Sequence, residues 1–363
     1  KANSFFLLFL YGAIILGTFL GSFLTDITGR NFPLQAGICW IFALIGWLCT
    51  LKIEKTEAAD PGKRIRFWFY GKMKESFQVA KKRRNLFIAM LAAPLFLFIG
   101  TYTQLNMIPF GLETLYISDV DSGYLFLSSA IGVGIGSLLV AGICGKTIEL
   151  GLISIGGLGA GISVYILGVF VTDIPWAVFM LLLLGVSGAM FTIPVDAYIQ
   201  LAAPKEKRGE IIAASSFLSF IGVFLAAVCL AVLGDWFKVS AGIGFAIVGL
   251  LGVLGTLTVT VFIPNYVFRF LFIQIGRIFC RIKVNMSPEI KPEQGYIYLC
   301  PPFNWKSYLS LIKPLPRVYF FLSKLPMGLQ PFTLFFRLFN IIPSFKGQGE
   351  KEKNKFLNVL KRL

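Results

Sequence analysis

"PWAVFMLLLLGVSGAMFTIPVDAYIQLAAPKEKRGEIIAASSFLSF", Pro175 to Phe220, sets the architecture of this chain. Its first half is apolar with one ionisable side chain, Asp196; the charged loop "APKEKRGE" interrupts it, and a second apolar run follows. An α-helix rises about 1.5 Å per residue, so about 20 apolar residues cross a hydrocarbon core of about 30 Å. The stretch therefore reads as two membrane-spanning helices joined by a short basic loop.

The pattern recurs. About eight such runs lie at residues 4–25, 33–52, 87–109, 124–144, 150–171, 175–200, 211–234 and 240–263. Only 14% of the 363 residues are charged and 56% are hydrophobic. A soluble domain carries about 25% charged residues, so the composition describes a membrane protein. In a soluble protein the net charge of +16 would point to nucleic acid. Here the basic residues gather in alternate loops: Lys63, Arg64, Arg66, Lys72, Lys74 and Lys81 to Arg84 in one, "APKEKRGE" in another, and the region after Tyr266. The intervening loop "GLETLYISDVDSG" has acids and no base. The positive-inside rule puts the basic loops and both ends of the chain in the cytoplasm, and no nucleic-acid partner is expected.

Five sections follow from the hydropathy. Residues 1–52 carry two spans, 53–86 a basic cytoplasmic linker, and 87–265 six spans with short loops. Residues 266–284 read as a basic interfacial helix, because Arg269, Arg277 and Arg281 share one helical face opposite Phe and Ile. Residues 285–363 read as a partial α/β unit, with short apolar runs at Tyr296 to Cys300 and Val318 to Leu322. The linker interleaves Phe67, Trp68, Phe69 and Tyr70 with bases, which suits a segment lying on anionic headgroups or a solvated connector. The chain opens on Lys1 and closes in "KEKNKFLNVLKRL", which reads as a piece of a longer protein.

Several motifs carry no chemistry. Cys39, Cys49, Cys144, Cys229, Cys280 and Cys300 are scattered and the chain has no histidine, so neither a disulfide nor a metal site is expected, and no cofactor. "GVGIGS", Gly132 to Ser137, lies mid-span with no strand before it and reads as a close helix contact. "GICGKT" would need glycine where Val140 stands to be a phosphate loop.

Polar residues inside spans say more, because each is costly at the bilayer centre unless it faces protein or water. The third span carries Gln104 and Asn106 between Pro94 and Pro109, and the sixth carries Pro194, Asp196 and Gln200. Pro194 predicts a broken helix beside an acid, which suits a transport path or gate. The plainer alternative is a boundary Asp paired with Lys205 or Arg208. The candidate path and gate residues are Gln104, Asn106, Asp196, Gln200, Arg208 and Gly209.

"PVDAYIQLAAPKEKRGEIIAASSFLSFIG", a proline-led loop with Arg-Gly and then small residues, resembles the loop between the tenth and eleventh helices of major facilitator superfamily transporters. With "GSLLVAGICGKTIELGLISIGGLGAG" and "AADPGKRIRF" it is similar to the lysophospholipid transporter branch. The resemblance implies an all-α polytopic membrane protein with about eight of twelve helices present, corresponding to helices five to twelve. It also implies a bacterial inner-membrane location, lysophospholipid as solute, and an acyltransferase or acyl-carrier protein as partner.

The tail is similar to the 2-acylglycerophosphoethanolamine acyltransferase domain that follows the transporter in some bacterial fusions, which makes it a partial α/β acyltransferase-like domain. That family's first motif, approximately NHxSxxD, falls on "NWKSYLS". Asn304 and Ser307 match, while Trp305 replaces the histidine base and Ser310 the aspartate. An indole has no basic nitrogen, so the resemblance implies a degenerate slot without catalytic residues. Three functions compete: a lysophospholipid facilitator, a facilitator of another small solute or drug, and a membrane-anchored acyltransferase.

Overall fold

The computed structural model describes residues 20–53, 70–144, 148–279, 320–322 and 341–343, with isolated helical positions at 9, 13, 16 and 17. Two compact units divide the chain: residues 1–148 with 152–259, and residues 149–151 with 260–363. Among the described residues, seven helices are long and apolar enough to cross a membrane. Much of the expected first span, 4–25, lies outside the described residues, although 20–27 is helical.

In the first unit, α1 is Phe32–Thr50. It is capped by Asn31, whose side chain accepts from the Leu34 N–H at 3.3 Å, and Pro33 sits at its start, where a missing N–H costs nothing. The short α2 is Tyr70–Lys81 and α3 is Arg84–Phe110. A π-turn, Gly111–Leu115, extends α3, ending at Tyr116 in the left-handed region with φ 55°. Next come α4, Asp119–Cys144; α5, Gly151–Val169; and α6, Ile174–Ala202. A 3-10 turn at Lys205–Lys207 leads into α7, Arg208–Ala231, and a π-turn at Val232–Trp236 precedes α8, Ala241–Phe262.

The sequence expectation of a break at Pro194 is not met. α6 runs continuously through a buried Pro194, as α3 runs through Pro94 and Pro109. A proline removes one backbone bond and crowds the preceding turn, and in membrane helices the rest of the ladder and neighbouring groups hold the helix together.

What binds the bundle is close backbone approach. Lipid tails are as apolar as leucine, so helices gain little by leaving lipid unless their packing beats it. A methyl group added at Gly136 would lie 2.7 Å from the Val186 carbonyl, and one at Gly185 would lie 2.7 Å from the Val133 amide, so α4 and α6 touch main chain to main chain. α5 presses glycines against both neighbours: Gly156 against Phe191 of α6, Gly161 against Val253 of α8. The "GVGIGS" stretch is thus a packing seam, as its position in a span predicts. Aromatic rings fill the space between α3 and α8, with Phe110 and Tyr102 edge-on to Phe245 at 5.1 and 6.3 Å. Phe96 of α3 stacks on Phe191 of α6 at 5.7 Å.

In the second unit, α9 is Pro264–Phe279. Phe270 and Ile273 are buried in it, and Phe270 packs where Gly151 has no side chain. Arg269, one of the three arginines expected to share a helical face, stands 3.7 Å from the Glu149 carboxylate with both side chains largely buried. Arg281 lies outside the described residues. Phe320–Leu322 (β1) pairs in parallel with Ile341–Pro343 (β2). β1 covers the last three residues of the expected run Val318 to Leu322; three paired residues a side do not define a domain.

Candidate functional site

Asp196 stands one and a half turns before the end of α6, and Gln200 one turn further along the same face. Both open onto a cavity of about 320 Å³ between α3, α6 and α7, whose other walls are Leu97, Ile199, Ile212, Ser215, Ser216, Ser219 and Phe220. Among the described residues no cation pairs with Asp196 and no donor hydrogen-bonds it. Lys205 and Arg208, the partners that a boundary role would need, are exposed and do not reach it. The carboxylate faces the cavity, as an ionisable group in a span must if it is to keep water or a solute as its partner.

Asn106 belongs elsewhere. It is buried, and its Nδ2 donates to the Ala241 carbonyl at 2.8 Å. Glu113, from the π-turn after α3, accepts the Ala241 N–H at 2.8 Å. Both main-chain groups of one residue at the head of α8 are therefore gripped by side chains from α3 and its extension. They border a second cavity of about 670 Å³, with Pro109, Asp235, Lys238 and Ser240 on its wall. Gln104 is exposed on another side of α3. Residues two apart on a helix lie about 200° apart, so Gln104 and Asn106 do not share a surface.

Arg208 and Gly209 open α7 and are exposed, and Gly209 has no neighbour within 4 Å of where a methyl would stand. Around them is a charged clamp that sequence reasoning did not find. Lys72 of α2 lies 3.5 Å from Glu210, Glu75 of α2 pairs with Lys207, and Arg83 donates to the Ala202 carbonyl at 2.5 Å. These charges suit the helix ends they meet: Arg83 at the C-terminus of α6 and Glu210 in the first turn of α7. The linker thus includes a helix docked on the turn between α6 and α7. Its aromatic stretch Phe67 to Phe69 lies outside the described residues.

The serines of the Asp196 cavity were also missed. "AASSFLSF" places Ser215 and Ser219 four apart on one face with Ser216 beside them, a spacing readable in the sequence once α7 is known to face α6. The degenerate slot at Asn304, Trp305, Ser307 and Ser310 lies outside the described residues, as does the expected strand Tyr296 to Cys300.

Nothing among curated proteins or solved structures matches this chain. The model of the Major Facilitator Superfamily matches residues 1–227, which takes in α1 to α6 and most of α7. With seven span-length apolar helices and a polar cavity between α3, α6 and α7, the chain is a multi-pass transmembrane transporter and belongs to the Major Facilitator Superfamily.

Proposed function

We propose that this transporter facilitates movement of lysophospholipid across a bacterial inner membrane, for re-acylation on the cytoplasmic side. The observation that carries the reading is the cavity at Asp196, where a carboxylate, an amide and three hydroxyls meet the apolar side chains Leu97, Ile212 and Phe220. Such a surface suits a solute with a polar head and an apolar body. The resemblance of the loops "APKEKRGE" and "AADPGKRIRF" to the lysophospholipid branch supplies the solute. In this reading the basic loops, α2 and both ends of the chain face the cytoplasm. The tail is a degenerate acyltransferase-like domain that binds lipid or partner surfaces without turnover, because Trp305 cannot act as a base.

A second reading, a facilitator of another small solute or drug, is favoured by one observation: α3 to α8 contain no Lys or Arg beyond their first turns that would meet an anionic headgroup. The deciding experiment places labelled lysophosphatidylethanolamine on the outer face of vesicles containing the full-length protein. Entry faster than into empty vesicles is expected; entry at the same rate sinks the proposal, and a competition screen with unrelated solutes then identifies the cargo.

A further inference from the structure

The charge arrangement of the Asp196 cavity reaches further, to the part of the solute that is recognised; the argument rests on the lipid-facilitator reading above. We infer that Asp196 takes the ammonium group of a zwitterionic amphiphile, while Ser215, Ser216 and Ser219 bind the polar groups beside it and Leu97 and Phe220 receive its chain.

The charge comes first. Asp196 is the only Asp, Glu, Lys or Arg of helices α3 to α8 that lies outside a first turn. A carboxylate without a protein counter-ion attracts a cation from whatever enters its cavity and repels a bare phosphate. A zwitterion presents both signs, and only its ammonium end fits against Asp196. This removes the difficulty that an anionic headgroup finds no lysine or arginine in the spans, since the head is recognised by its cation.

The hydroxyls come second. Elsewhere in the spans, Thr103, Ser163, Thr192 and Thr256 spend their hydroxyls on a carbonyl of their own helix, at 2.7 to 2.9 Å. Ser215, Ser216 and Ser219 make no such bond among the described residues. Three uncommitted donors beside a lone carboxylate are what the phosphate oxygens and glycerol hydroxyl of a lysolipid would meet.

Depth is the third observation. The start of α3, the end of α6 and the start of α7 lie together, since Arg83 bonds Ala202 and Lys207 follows five residues later. At about 1.5 Å per residue, Asp196 is about 9 Å from that end, and Ser215 and Ser216 are about 11 Å from it. Phe220 and Leu97 are about 18 to 20 Å from it. Polar and apolar groups alternate along this wall, with Ile212 about 6 Å and Ser219 about 17 Å from that end, but Leu97 and Phe220 are its deepest side chains and lie beyond Asp196, where the chain of a lipid whose head is held at the carboxylate would run. Phe220 is 71% exposed, so a chain has a surface to lie on.

The test uses vesicles containing the full-length protein and three lysolipids with the same acyl chain: an ethanolamine head, the same head N-acetylated, and a glycerol head. Wild type is expected to move the ammonium lipid roughly tenfold faster than the other two, the size of one charge-assisted hydrogen bond. Asp196→Asn is expected to bring the three rates within about twofold of one another, and Ser215→Ala to slow all three. Equal wild-type rates overturn the inference. So does loss of all three in Asp196→Asn together with wild-type uptake that follows an imposed pH gradient, which would make Asp196 a proton carrier. Equilibrium binding of the same lipids to the purified protein separates this inference from the transport reading. Tight binding of the ammonium lipid without movement refutes transport and upholds the ammonium site, whereas equal binding of all three refutes the site.

Discussion

α1 and α5 are both 19-residue apolar helices, yet no residue of α1 is buried whereas 56% of the most apolar stretch of α5 is. Composition does not explain the difference, since both have two or more glycines and few polar groups. What differs among the described residues is what the glycines meet. α5 carries Gly156, Gly157, Gly159 and Gly161, each meeting a neighbouring helix, while a methyl at Gly37 or Gly46 of α1 would find nothing within 4 Å. Apolarity brings a helix into a membrane; a row of small residues aimed at other backbones brings it into a bundle.

The sharpest way to break this comparison is to add bulk in both places. Gly185→Leu collides with the main chain of α4, where the Val133 amide would lie 2.7 Å from the added Cβ, and is expected to cost about 3 kcal/mol, the upper end of what overpacking costs. Gly46→Leu in α1 is expected to leave the unfolding midpoint unchanged. Thermal unfolding in detergent reads both, and equal losses would show that glycine seams do not set the bundle's stability.

A smaller effect concerns the polar contacts. Asn106→Ala removes a second donor to the Ala241 carbonyl, which keeps its bond within α8, at an expected cost of about 0.5 to 1.5 kcal/mol. Asp196→Asn should leave stability untouched and reduce flux, so the two substitutions pull apart a structural amide from a cavity acid. Loss of flux in Asn106→Ala at full stability would put Asn106 back on the transport path.

Smallest is the clamp at α2. Glu75→Ala loses an exposed pair with Lys207, worth about 0 to 1 kcal/mol and weaker still in high salt. A loss of several degrees in melting temperature that salt does not reduce would mean that α2 is held by more than charge.

Most helix boundaries could be read from the sequence because a bilayer demands long apolar runs, and residues 33–52 and 240–263 differ from α1 and α8 by only one or two positions at each end. Helix faces could not. A span apolar all round has little asymmetry, so nothing in "NLFIAMLAAPLFLFIGTYTQLNMIPF" says that Asn106 turns inward and Gln104 outward. Asp196 was legible as the one acid in its span, and the same sequence held the serines, but their meeting depends on α6 and α7 lying side by side. The ion pairs of α2 link residues more than 130 positions apart, beyond the reach of any local pattern. Pro194 misled because proline is read as a breaker from aqueous helices, and a helix in lipid has no water to take its freed carbonyl.

The double grip on Ala241 has a mechanical meaning. One side chain from α3 and one from its π-turn hold the amide and the carbonyl of the same residue, so they resist both sliding and rotation of the head of α8. A tilt of α3 that kept both bonds would carry the head of α8 with it. A rocking step would turn that end of the bundle about the Ala241 joint, while at the other end of α3 the turn between α6 and α7 is tied by Arg83, Lys207 and Glu210.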